Sequence, residues 1–314
     1  MIIRIVLLVV LALVFLIIFT GVYVFVSACV RKRERPWLDS EALKGTTYEK
    51  YDKLIHESHQ WLIDHRAQDI YTHSDDGLKL HGLWVPAEKA KGTIILAHGY
   101  RSTILVDFGK AMMLYHDLGF NVLLPQQRSH GQSQGRLITF GVKESRDMLK
   151  WLELHNDVFG MNQVILSGLS MGASTMMYLA DKELPPNVKG IVVDCGFTSP
   201  AAIISAVFKR ITHVPAVPFI WIADICARLF GHFSLYECDS RKTLAENQLP
   251  IIMIHGKADN FVPCYMTQQG FDRCTGDKKL LLAEGAGHGL SFLYATQEYI
   301  QMVKQFLKDH IEGF

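Results

Sequence analysis

The chain has 314 residues, 49% of them hydrophobic, with 32 basic against 31 acidic side chains. That is room for an anchor and one large domain with a full core, and the balanced charge gives no electrostatic footing for nucleic acid. No two histidines stand at metal-ligand spacing beside a matching carboxylate or cysteine pair, so no metal or other cofactor is expected; the six dispersed cysteines (Cys29, Cys195, Cys226, Cys238, Cys264, Cys274) do not read as a disulfide framework.

Residues 5–30 carry no charge. About 20 apolar residues cross the hydrocarbon core as a helix, so residues 1–30 are predicted to be a single-pass transmembrane anchor. The run exceeds a secretory h-region, which favours retention. Val26-Ser27-Ala28-Cys29 resembles a bacterial lipoprotein cleavage box, so tethering through a lipidated Cys29 stays open. Arg4 lies before the span and Arg31, Lys32, Arg33 and Arg35 after it. The positive-inside bias alone would place the domain in the cytoplasm and the lipoprotein reading outside the cell, so the side is left open.

Residues 31–68 are polar and helix-prone, predicting a juxtamembrane helical stalk. Strand patterns follow at 78–86, 93–98, 121–125, 163–167, 190–194, 251–255 and 279–283. Several are continuous apolar runs, as in parallel strands covered on both faces. Helix patterns at 109–118, 143–155, 171–181, 265–274 and 291–311 alternate with them, which predicts a doubly wound α/β core over 69–198 and 246–314. Residues 199–245 are too long and too apolar for a simple crossover and are expected to form an inserted helical cap.

Gly168-Leu169-Ser170-Met171-Gly172 joins a strand pattern to a helix pattern. A nucleophilic serine on such a tight turn needs small neighbours, and the helix N-terminus after it faces developing negative charge. Asp259 and His288 follow, each in a loop just past a strand pattern, in the order Ser, acid, His. Asp194 also ends a strand and is the second choice for the acid; Asp259 is preferred because its loop precedes the histidine loop by one strand. His98-Gly99-Tyr100 ends the 93–98 strand. The backbone N–H groups of Tyr100 and Met171 are the expected oxyanion hole, with His98 holding the loop.

Together these residues resemble the α/β-hydrolase superfamily over about residues 70–312. More narrowly the chain is similar to bacterial membrane-anchored, cell-surface hydrolases of the serine aminopeptidase-like and lysophospholipase-like group. The resemblance rests on LAHGY at 96–100, QRSHGQSQG at 127–135, GLSMG at 168–172, DCGFTSP at 194–200, HGKADNFVP at 255–263 and GAGHG at 285–289. It implies the α/β-hydrolase fold: a mostly parallel sheet of the eight-stranded type flanked by helices, with the inserted cap and the N-terminal transmembrane helix. QRSHGQSQG matches a family loop near the pocket, although Gln126 stands where relatives often carry an aspartate.

The chemistry implied is acyl transfer through an acyl-enzyme on Ser170, with His288 as general base and Asp259 fixing its tautomer. Activity should then fall as pH drops through the ordinary histidine range near about 6.5. The expected partners are a small-molecule ester or acyl substrate and the membrane. An aminopeptidase, amidase or thioesterase on the same triad, or a non-catalytic binding module, are the alternatives. Oligomeric state is open.

Overall fold

The apolar runs assemble into one eight-stranded sheet. In the computed structural model, which describes residues 1–46 and 48–314, the strands are β1 (Gln68–His73), β2 (Lys79–Val85), β3 (Thr93–Ala97), β4 (Asn121–Pro125), β5 (Val164–Leu169), β6 (Val188–Asp194), β7 (Ile251–Gly256) and β8 (Lys278–Ala283). Their order is β1-β2-β4-β3-β5-β6-β7-β8. β3 to β8 run parallel, and β2 pairs antiparallel with both β1 and β4.

Alternate residues of the central strands serve two cores. Ile94, Leu96, Val122, Leu124, Ile165 and Val192 pack with helices Gly109–Asp117 and Thr296–His310. Ile95, Ala97, Leu123, Leu166 and Val193 pack with helices Val142–Phe159 and Met171–Met177. Double burial explains why these strands read as unbroken apolar runs. The predicted 171–181 helix ends at Met177, and 291–311 is two helices, Ser291–Tyr294 and Thr296–His310.

The expected stalk, 31–68, is not a stalk. Helix Asp52–Asp64 buries Ile55, Ser58 and Leu62 against the domain, and the Ser58 hydroxyl stands 2.3 Å from where a Cβ on Gly109 would lie. Leu43 is fully buried, and β1, absent from the sequence prediction, begins at Gln68. A narrow apolar stripe on a polar helix is enough to dock it, and the overall polarity of the segment concealed that stripe.

Helix Ile2–Cys29 is long and apolar enough to cross a membrane. Its last turns pack on the 199–245 insert: Gly21, Val24, Phe25 and Cys29 are buried, the last three in one cluster with Ile220, Ala223, Cys226 and Ala227. The insert comprises helices Pro200–Thr212 and Val217–Cys226 with a π-helical turn, Ala227–Gly231. Beyond Cys29 the chain is tied to the 127–138 loop. Ile138 N–H donates to the Cys29 carbonyl (2.7 Å) and Arg31 N–H to that of Arg136 (2.8 Å).

Candidate active site

Ser170 sits between β5 and helix Met171–Met177 with φ 57° and ψ −115°. A non-glycine residue held there costs about 1–3 kcal/mol, which the surrounding packing must offset. The flanking glycines are required by proximity. A Cβ on Gly168 would lie 2.3 Å from the Gly172 carbonyl oxygen, and one on Gly172 would lie 1.8 Å from that of Ala97.

β7 and β8 carry the other two residues to the same end of the sheet. The Ser170 Oγ lies 2.9 Å from His288 Nε2, and His288 Nδ1 lies 2.7 Å from Asp259 Oδ2. Asp259 Oδ1 accepts the backbone N–H groups of Phe261 (2.7 Å) and Val262 (2.9 Å). Burial pushes the Asp259 carboxyl up, but hydrogen bonds from His255 and His288, the His288 charge and the Phe261 N–H outweigh it and hold it well below the usual carboxylate range. The ionised acid therefore fixes a proton on His288 Nδ1, leaving Nε2 free to accept from the serine.

Asp194 is separate from this relay. Its Oδ1 accepts the Ser291 hydroxyl (2.9 Å), and burial raises its carboxyl to about 6. Its backbone carbonyl accepts the Ser170 N–H (2.8 Å), so it supports the turn.

The Gly99–Arg101 loop faces Ser170 and is held from several sides. His98 donates from Nδ1 to the Gly99 carbonyl (2.9 Å) and accepts the Gln127 N–H at Nε2 (3.1 Å). Burial lowers His98 to about 4, so the ring is neutral, as this donor–acceptor pattern requires. Asp107 accepts the Gly99 N–H and the Ser102 hydroxyl, each at 2.6 Å. His130 accepts the Arg101 N–H (2.9 Å). The Tyr100 hydroxyl donates to the Ala28 carbonyl (2.7 Å), while Arg101 donates to those of Ser27 (2.8 Å) and Val30 (2.9 Å). The C-terminal carbonyls of the N-terminal helix are thus gripped by the loop beside the nucleophile. Among the described residues, neither the Tyr100 nor the Met171 backbone N–H has a protein acceptor.

Three of these supporting residues escaped sequence reading. Asp107 lies eight positions past Gly99 without a motif. His130 was visible only as part of QRSHGQSQG. His255 opens HGKADNFVP, and its Nε2 faces both the Val262 carbonyl (3.0 Å) and Asp259 Oδ2 (3.2 Å). A carbonyl only accepts, so that nitrogen carries the proton. Just before the QRSHGQSQG loop, Gln126 accepts from His81 Nδ1 (2.8 Å), and within it Arg128 pairs with Asp147 and Asp76.

Cys195, Asp259 and His288 offer ligand atoms within 4.8 Å of one another. They suit a metal poorly: burial and the neighbouring carboxylates push the Cys195 thiol up, and the Asp259 oxygens are already occupied by N–H donors. A cavity of about 560 Å³ has Ser170 and His288 in its wall. Its far side is built by Lys32, Arg35, Trp37, Tyr48, Tyr51 and Leu54, from the segment expected to be a stalk. Among the described residues none of 199–245 lines it; the insert, expected to be a cap, packs instead in one cluster with Tyr100, Met171 and Phe261 beside it.

A family model described as alpha/beta hydrolase fold matches residues 92–215. The solved esterase Pf2001 of Pyrococcus furiosus superposes with a TM-score of 0.65 at 21% identity, covering 80% of this chain and 94% of that one. The chain has the α/β-hydrolase fold. An esterase of Exiguobacterium antarcticum shares that fold at a TM-score of 0.57 and 16% identity, covering 77% of this chain and 100% of the other. By sequence, this α/β-hydrolase-fold chain is 28% identical over 232 residues to the uncharacterized protein YqkD of Bacillus subtilis, covering 74% of this chain and 76% of YqkD. It is 22% identical over 246 residues to the uncharacterized Rv2307c of Mycobacterium tuberculosis, covering 77% and 80%.

Proposed function

We propose that the protein is a serine hydrolase that cleaves a carboxylic ester of an acyl-bearing substrate and is anchored in a membrane by its N-terminal helix. The observation that carries this reading is the relay of Ser170, His288 and Asp259 at 2.9 and 2.7 Å, opening into a cavity. His288 Nε2 takes the hydroxyl proton as Ser170 Oγ attacks the carbonyl carbon, and Asp259 stabilises the imidazolium that results. The oxyanion is met by the N–H groups of Tyr100 and Met171, each such donor contributing about 2.7–4 kcal/mol to the transition state. The alkoxide leaves with the proton from His288, and water activated by the same nitrogen releases the acid.

The substrate assignment rests on the cavity wall. Trp37, Tyr48, Tyr51 and Leu54 offer an apolar surface to an acyl chain. An aminopeptidase needs acid groups for a free amine, and the wall supplies the opposite charge. Lys32, Arg33, Arg35, Arg101 and Lys110 line it, while its acids are engaged, Glu34 by Arg31 and the Gly131 N–H, Asp107 by Gly99 and Ser102, and Asp194 by Ser291. A retained anchor is supported by the end of the helix itself. Cys29 is fully buried and its carbonyl is bonded to Ile138, an arrangement that lipidation and cleavage before Cys29 would dismantle.

The test is hydrolysis of p-nitrophenyl esters, from acetate to palmitate, by full-length protein in detergent micelles, with Ser170→Ala beside it. Turnover that vanishes in Ser170→Ala, with a preference for longer acyl chains, is the expected result. A folded protein that neither turns over an ester nor reacts with a fluorophosphonate at Ser170 would overturn the assignment.

A further inference from the structure

Helix Val217–Cys226 and the π turn after it are apolar on two sides. Ile220, Ala223 and Cys226 are buried in the cluster that also holds Val24, Phe25 and Cys29 of the N-terminal helix. Another side exposes Val217, Trp221 and Ile225, one helical face at four-residue spacing, continued by Leu229, with exposed Phe230 bordering Phe25 of the N-terminal helix. Trp221 is 60% exposed and Phe230 70%. So large a contiguous apolar patch marks an interaction surface. The single acid between 211 and 230, Asp224, is turned inward onto Arg228, Ser234 and the Leu235 N–H.

The position of this face relative to the anchor identifies its partner. A Cβ on Gly21 would meet Ile222 at 2.4 Å and the Phe219 carbonyl oxygen at 2.9 Å, and the Phe25 ring lies 6.3 Å from that of Phe230. The two helices therefore run in the same direction, with Trp221 level with Gly21. Below that level the uncharged residues 5–20 span about 24 Å at about 1.5 Å each, most of the roughly 30 Å of a hydrocarbon core. The edge of the acyl layer then falls near Thr20, where the insert begins to cover the helix. Tryptophan favours that layer.

We infer that the exposed face of Val217, Trp221 and Ile225 lies in the headgroup–acyl boundary of the bilayer crossed by the N-terminal helix, as a second membrane contact, with Leu229 and Phe230 on its headgroup side. The inference rests on the anchor reading above. It favours lipid over a second copy of the chain because the face is continuous with a helix already in lipid. Two contacts fix the tilt of the domain, so the cavity lined by Lys32 and Arg35 is held at a constant height above the headgroups.

The experiment uses full-length protein in phosphatidylcholine–phosphatidylglycerol vesicles, with acyl chains brominated either near the headgroup or near the terminal methyl. The chain has five tryptophans, so the Trp221 signal is the difference between wild type and Trp221→Phe. That signal is expected to lose about half its intensity with bromine near the headgroup and much less with bromine near the methyl end. A Trp221 signal indifferent to both lipids overturns the inference. So does disulfide cross-linking between copies through Ile225→Cys, which would make the face a protein interface. Alkaline extraction of the same vesicles separates the two readings. Protein that stays in the membrane with Trp221 unquenched sinks only the second contact, whereas protein that washes off sinks the anchor itself.

Discussion

Replacing Asp259 with Asn tests the relay at its least replaceable point. The carboxylate receives four donors, Phe261 and Val262 N–H on Oδ1 and His288 and His255 on Oδ2. An amide has one acceptor oxygen and one NH2 group, so in either orientation its NH2 confronts two N–H donors. The backbone pair cannot move, which leaves the NH2 facing the histidines. His288 must then present a lone pair at Nδ1 and carry its proton on Nε2, where it can no longer take one from Ser170. Loss of the correct tautomer in such triads costs about 10⁴-fold in kcat. At about 1.36 kcal/mol per tenfold, that is about 5 kcal/mol of transition-state stabilisation. The assay is single-turnover acylation by a p-nitrophenyl ester, with Asp194→Asn as the control, because Asp194 bonds to Ser291 and not to His288. A stability signature accompanies the kinetic one. The depressed Asp259 carboxyl stabilises the fold above its unfolded value near about 3.9, and this is lost as pH falls below that value. The Tm gap between wild type and Asp259→Asn should be constant at neutral pH and narrow below about pH 4. An Asp259→Asn protein within about tenfold of wild type, with Asp194→Asn the slower of the two, would refute the reasoning.

Gly172→Ala would place a methyl 1.8 Å from the Ala97 carbonyl oxygen, with backbone on both sides. It should destabilise by at least about 1–3 kcal/mol and shift the serine, seen as a lower Tm together with lost ester turnover. Deleting residues 1–30 removes the Ser27, Ala28 and Val30 carbonyls that hold Tyr100 and Arg101. It also uncovers the insert cluster, so the fragment should aggregate or melt earlier, with kcat falling more than KM rises. Unchanged kinetics in the fragment would show that the end of the N-terminal helix does not position the Gly99–Arg101 loop. Asp107 is raised to about 6 by burial. The native state therefore holds more protons than the unfolded one between about 3.9 and about 6, and stability declines as pH rises through that window. Asp107→Asn should remove this decline, read from melts at pH values on either side of it, and should slow acylation at neutral pH by loosening Gly99.

The candidate residues Ser170, Asp259, His288, Tyr100 and Met171 could be picked out in the sequence because each belongs to a short motif whose spacing is set by one strand end and one turn. The sheet was legible for a related reason: strands buried on both faces must be apolar throughout, whatever packs on them. β1 was not legible, since an edge strand exposed along much of its length (QDIYTH) has no such constraint. Asp107 and His130 act through backbone N–H groups of another loop, and that kind of contact leaves no local pattern.

The sequence by itself determined the fold class, the order of the site residues and a helix fit to cross a membrane, all properties of local periodicity and turn chemistry. Only the tertiary structure decided what covers the nucleophile. The polar 31–68 segment lines the cavity and docks on a narrow apolar stripe, while the apolar insert packs on the N-terminal helix and on the loops around Ser170 without lining the cavity. Which of two segments closes a site depends on which surfaces meet across the sheet, and hydropathy along the chain reports burial without naming the partner.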